Sequence, residues 1–118
     1  MVSVRRLFHI TTHEMWAAAL RAGVFHPPSL DTEHFIHLSD ERQWLATANR
    51  FFRDRTDLVL LSIREDRLAS PLRWEPADGD SFPHLYGPLE LAAVVDAVAL
   101  PVAADGAIGR PVTARSAG

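Results

Sequence analysis

The stretch Leu58-Val59-Leu60-Leu61-Ser62-Ile63 constrains the fold more than any other part of this chain. A strand exposes alternate side chains to opposite faces, so a nearly continuous apolar run fits a central strand covered on both sides. The run therefore reads as scaffold, and the rest of the chain has to cover it. With 118 residues, 47% hydrophobic and 23% charged, the chain has the size of one ordinary domain, able to bury roughly two-thirds of its unfolded surface. The expected fold class is α+β, a single compact domain with a mixed twisted β-sheet and about two main helices. Residues 1–102 are assigned to the domain. Residues 103–118, rich in Ala, Gly, Pro, Thr and Ser, are assigned to a flexible C-terminal tail.

Composition excludes several function classes. The chain has no cysteine, which removes disulfides, thiolate metal sites and cysteine nucleophiles and leaves His, Asp and Glu as metal ligands. A net charge of −3 gives no electrostatic basis for binding DNA. No run approaches the ~20 apolar residues of a membrane span, and the N-terminus lacks a signal-like apolar core. A cytoplasmic protein acting on a small molecule is the expectation.

Residues 4–10 read as a strand, with His9 at its exit. Thr11 and Glu14 have capping-box spacing, and Trp16, Ala19 and Leu20 followed by Gly23 describe a short amphipathic helix. Pro27-Pro28 makes 24–31 a loop that could border a pocket. Glu33-His34-Phe35-Ile36-His37-Leu38-Ser39-Asp40 then places two imidazoles in a strand-like run ending at a helix cap. Alternation puts His34, Ile36 and Leu38 on one face and Phe35, His37 and Ser39 on the other. Histidine titrates near neutral pH and can donate, accept or ligate, so His37 at a strand end is a site candidate.

Ser39 or Asp40 caps a second helix whose apolar positions Trp44, Leu45, Ala48, Phe51 and Phe52 define a buried face. Gln43, Thr47 and Arg50 form the solvated side. Residues 64–70 read as a turn with a short helical piece, 72–75 as a strand, and 77–81 as a turn-rich loop. Phe82-Pro83-His84-Leu85-Tyr86-Gly87-Pro88-Leu89 is a rigid segment holding a histidine and the only tyrosine, which suits a functional loop. A helical turn and a strand are expected over 91–102. His9, His37 and the 82–87 segment are expected to meet around one concave surface.

The run Leu7-Phe8-His9-Ile10-Thr11, with Phe35-Ile36-His37-Leu38-Ser39, Thr47-Ala48-Asn49-Arg50-Phe51-Phe52, Trp74-Glu75 and Phe82-Pro83-His84-Leu85-Tyr86-Gly87, closely resembles the bacterial family catalogued as domain of unknown function 952. That resemblance spans about residues 4–100 and implies an ADP-ribosyltransferase-like fold. Within that fold group the RNA 2'-phosphotransferases are most similar: His9-Ile10-Thr11 resembles their NAD-contacting His-Gly-Thr, and His37-Leu38-Ser39 part of their His-x-His-Leu-Ser. Ile10 stands in place of the glycine, and no matching set of phosphate-binding arginines is located. The resemblance implies His9, His37 and Glu75 as catalytic candidates, with Glu90 the alternative acid. It implies an NAD-like nucleotide held by His9, Thr11, His37 and Ser39, and the rigid 82–87 segment adds His84 and Tyr86 as candidate nucleotide-binding residues.

Three readings follow: a nucleotide-handling transferase, a non-catalytic small-ligand module that kept the cleft, and a metal site built from His9, His37 and His84. The last lacks supporting ligand spacing, and no metal ligand is assigned.

Overall fold

The computed structural model describes residues 4–111. The central run becomes β4 (Leu58–Arg64), flanked antiparallel by β1 (Arg6–Thr12) and β8 (Val94–Ala99). Its alternate residues enter two hydrophobic cores. Val59, Leu61 and Ile63 pack with Leu7, Phe25, Ile36 and Leu85 beneath α1 (His13–Ala22), whereas Leu58 and Leu60 pack with Ile10, Leu100 and the Trp44 and Ala48 of α3 (Trp44–Phe51). Both faces are thus covered, as the apolar run requires.

β1 starts and ends two residues later than the sequence suggests, which places His9 inside the strand. The helix cap moves with it: Thr12 accepts from the Met15 N–H at 3.1 Å, so the expected Thr11–Glu14 box does not form. Gly23 ends α1 with φ 85 and its N–H on the Ala19 carbonyl, a left-handed stop that glycine adopts without a Cβ penalty. Leu20 is exposed rather than part of the buried stripe.

The 24–31 loop contains β2 (Val24–Phe25) and one helical turn, α2 (Ser29–Thr32). The histidine strand is shorter than expected. Only β3 (Ile36–His37) pairs regularly, because His34 takes φ 73 and leaves the extended conformation. Ser39 continues it by exchanging two main-chain bonds with Phe8, at 2.8 and 2.9 Å. It does not cap a helix. Asp40 does: Oδ1 accepts from the Arg42 and Gln43 N–H groups, while Gln43 Oε1 accepts from the Asp40 N–H, a reciprocal capping box at the turn leading into α3.

β5 (Leu72–Ala77) and β6 (Asp80–Leu85) form a hairpin over Asp78-Gly79, with φ 52 and 81, as a two-residue turn with both central residues left-handed requires. Most of the supposed 82–89 loop is therefore strand. β6 lies between β5 and β3. Pro83 is tolerated there because its carbonyl accepts from Leu38 at 3.0 Å just where β3 ends and no return donor is needed. β7 (Leu89–Glu90) pairs with β2.

Every strand pair among the described residues is antiparallel, so the α+β class holds while the expected mixed sheet does not. The reason is that α1 leads into β2 on a separate two-stranded sheet and does not cross over to a parallel neighbour. Residues 103–111 pack on the domain instead of forming a free tail. Ile108 is buried in the α3 core and exchanges bonds of 2.8 and 2.9 Å with the Asn49 side chain. Residues 112–118 lie outside the described part. No helix among the described residues is long and apolar enough to cross a membrane.

Candidate functional site

A cleft of about 990 Å³ opens between β1, β3, α3 and the tip of the β5–β6 hairpin. His9, Thr11, His37, Ser39 and His84 all line it, as do Pro27 and Pro28 from the loop before α2. His9 and Thr11 alternate onto the same face of β1, opposite Leu61 and Val59 of β4.

His9 Nδ1 lies 2.6 Å from the His37 carbonyl, which can only accept, so Nδ1 carries the proton. Burial pushes the His9 pKa down to about 4; the carbonyl bond works against that shift, and the nearby His37 adds to it. The ring is neutral at physiological pH, and its Nε2 carries a lone pair. Phe25 packs edge-on against it at 5.4 Å. Beside it, Thr11 is only 5% exposed. Its Oγ1 is the one buried side-chain polar atom without a hydrogen-bond partner among the described residues. A buried hydroxyl left unpaired costs about 1–3 kcal/mol.

On the other side of His37, Glu75 Oε1 accepts from His84 Nδ1 at 2.7 Å and from the Tyr86 hydroxyl at 2.5 Å. These two bonds, Tyr86 first, hold the Glu75 carboxyl below its ordinary range, and the carboxylate raises the Tyr86 phenol. His84 is 7% exposed, with Phe35 stacked on its ring at 4.0 Å. Glu75 and Tyr86 do not line the cleft; they stand behind His84 and fix it. His37 itself is exposed and meets Glu33 Oε1 at 3.1 Å. Glu90 is remote from this cleft: it pairs with Val24, and its carboxylate accepts from the Ala69 N–H at 3.3 Å.

The histidines do not make a metal centre. Among the described residues no group of three or more His, Asp or Glu is arranged to hold an ion.

The family model described as "Protein of unknown function (DUF952)" matches residues 10–97. The chain belongs to that family. A crystal structure of protein CC0527 from Caulobacter crescentus is similar, with a TM-score of 0.81 at 35% identity over 88% of this chain and 93% of that one. The solution NMR structure of CC0527 is similar too, at a TM-score of 0.74 and 36% identity, covering 87% and 90% of the two chains. No curated protein matches significantly.

Three cleft residues of this DUF952 chain are arginines that sequence reasoning did not assign. Arg42, Arg50 and Arg55 line the cleft, each bonded to an aspartate: Asp40 at 3.3 Å, Asp78 at 3.2 Å and Asp57 at 2.6 Å. The positions expected to be solvated on the second helix also face it. Gln43, Ala46, Thr47, Arg50 and Phe51 are one side of α3 and its entry turn, at i, i+3, i+4, i+7 and i+8. Gln43 is 5% exposed and ties this side to the hairpin through Asp80 and the Ser81 carbonyl, at 3.0 and 2.8 Å. Phe51, expected in the core, is 59% exposed at the cleft. The helix stops there, and the core contact passes to Phe52.

Proposed function

We propose that the cleft binds a ribonucleotide of the NAD or ADP-ribose class, with His9 and Thr11 reading a ribose hydroxyl. The observation that carries this reading is that His9 and Thr11 share one face of β1 and both line the cleft, His9 with a lone pair on Nε2 and Thr11 with a buried hydroxyl lacking a partner among the described residues. A ribose hydroxyl can donate to His9 Nε2, and a second ribose oxygen that reaches Thr11 would satisfy its buried hydroxyl. The rim arginines suit phosphate, since guanidinium recognises phosphate oxygens with paired donors and can exchange an exposed aspartate for a ligand anion. The ADP-ribosyltransferase-like fold implied by the sequence motifs agrees with such a ligand.

Binding without transfer is the function that the geometry favours. Glu75, the acid that the resemblance would use at the ribose, has Oε1 engaged by Tyr86 and His84 and stays off the cleft surface. In this reading Glu75 positions His84 and does not touch the ligand. A thermal-shift screen with NAD, ADP-ribose and nucleoside phosphates tests it. At a ligand concentration of 100 times Kd, binding to the folded form alone adds about 2.7 kcal/mol, and Thr11→Val should reduce the gain. No shift with any of these ligands at millimolar concentration overturns the proposal.

A further inference from the structure

Phe51 closes α3 with most of its ring in water. A single exposed apolar residue is ordinary on a surface, but this one lines the cleft that holds His9 and His84. Its sequence neighbour Phe52 packs on the core, so the chain at this point does not lack buried space for an aromatic ring.

The surroundings of Phe51 define what could cover it. The Arg50 guanidinium stands over the ring, 5.2 Å from its centroid, and reaches Asp78 on the hairpin at 3.2 Å. No aromatic ring among the described residues stacks on Phe51. Ala46 and Thr47, small residues on the same side of the helix, leave room beside it. A partner for this position is flat, apolar on its face and attached to an anion that the adjacent arginine can meet.

We propose that Phe51 is the stacking platform for the planar base of the nucleotide, which makes it a specificity-determining residue of the cleft. The inference rests on the nucleotide reading above and adds which end of the ligand lies against α3. Stacking reads a flat ring and not its hydrogen-bonding edge, so the platform selects nucleotides over sugar phosphates while tolerating different bases.

Calorimetric titration of the full chain with AMP and with ribose 5-phosphate tests it, using wild type, Phe51→Ala and Phe51→Trp. Phe51→Ala should weaken AMP about tenfold, leave ribose 5-phosphate unchanged, and melt with the wild type when unliganded. Phe51→Trp should restore AMP binding. Equal AMP affinity in wild type and Phe51→Ala, or equal loss on both ligands, overturns the platform while the nucleotide reading stands. If wild type binds neither AMP, ADP-ribose nor NAD, the nucleotide reading falls and the platform falls with it.

Discussion

His37 has an imidazole on either side, and the two are held in opposite ways. His9 donates to a neutral main-chain carbonyl, and desolvation of its half-buried ring lowers its pKa to about 4. His84 donates to a carboxylate that also takes the Tyr86 hydroxyl. A carbonyl fixes a ring without charge, whereas a carboxylate fixes it within an ionic network. The two flanks also differ in completeness. Among the described residues around His84 no buried side-chain polar atom is left without a partner, but beside His9 the Thr11 hydroxyl is. The satisfied network belongs to the cleft wall, and the proposed nucleotide would complete the unfinished side.

The comparison breaks most completely if the strand between the flanks is loosened. Ile36 is fully buried and pairs with Leu85. Ile36→Ala should lower stability in urea unfolding by about 2–5 kcal/mol, and a loss under about 1 kcal/mol would mean that this residue does not anchor both sides.

The pH dependence of stability separates the flanks next. The unfolded chain protonates His9 near its ordinary 6.5, while the folded chain holds it to about 4. Unfolding therefore takes up a proton between those values, and stability falls as pH drops through that window, then levels off. The contribution is at most about 3 kcal/mol. His9→Gln should remove this slope. Glu75 behaves differently: its folded pKa lies below the ordinary 4.5, so its stabilisation is present above that pH and is lost only at lower values. Glu75→Gln should leave the slope between 6.5 and 4 in place, and a loss of that slope would reassign it.

Smaller effects sharpen the picture. Thr11→Val removes an unpaired hydroxyl at nearly constant shape and should be neutral or stabilising by up to about 1 kcal/mol, as read by thermal melting. A clear destabilisation would show that the hydroxyl has a partner in solution. Phe51→Ala should change the unliganded protein by less than about 0.5 kcal/mol, since the ring is exposed. A core-sized loss would return Phe51 to the interior.

Much of the scaffold is legible in the sequence. Leu58-Val59-Leu60-Leu61-Ser62-Ile63 identifies the central strand because only a doubly covered strand stays apolar on both faces. Gly23 marks the end of α1 for an equally local reason. Phe51 misleads because helical periodicity reports which residues share a side, not which side meets the core. At i+7 from Trp44 it belongs with the buried stripe by spacing, yet the helix ends at that residue and its ring turns to the cleft. Gln43 misleads in the reverse sense. Its amide finds Asp80 and the Ser81 carbonyl, partners 37 and 38 positions away that no local pattern announces. Pro83 argues against a strand in isolation and is accommodated only because β3 stops opposite it. The histidines are visible as candidates, whereas the arginines come together only when the turn before α3, α3 itself and the segment before β4 fold around one space.

The central claim is that His9 presents a neutral Nε2 acceptor which a nucleotide ribose completes. Long-range proton–nitrogen NMR of the imidazoles, recorded at neutral pH with and without ADP-ribose, tests it most directly. The account predicts that His9 is in the Nδ1–H form, that its Nε2 resonance moves on titration with ADP-ribose, and that Thr11→Val diminishes the movement. A protonated His9 at neutral pH, or an Nε2 resonance that stays in place while ADP-ribose saturates the protein, would contradict it.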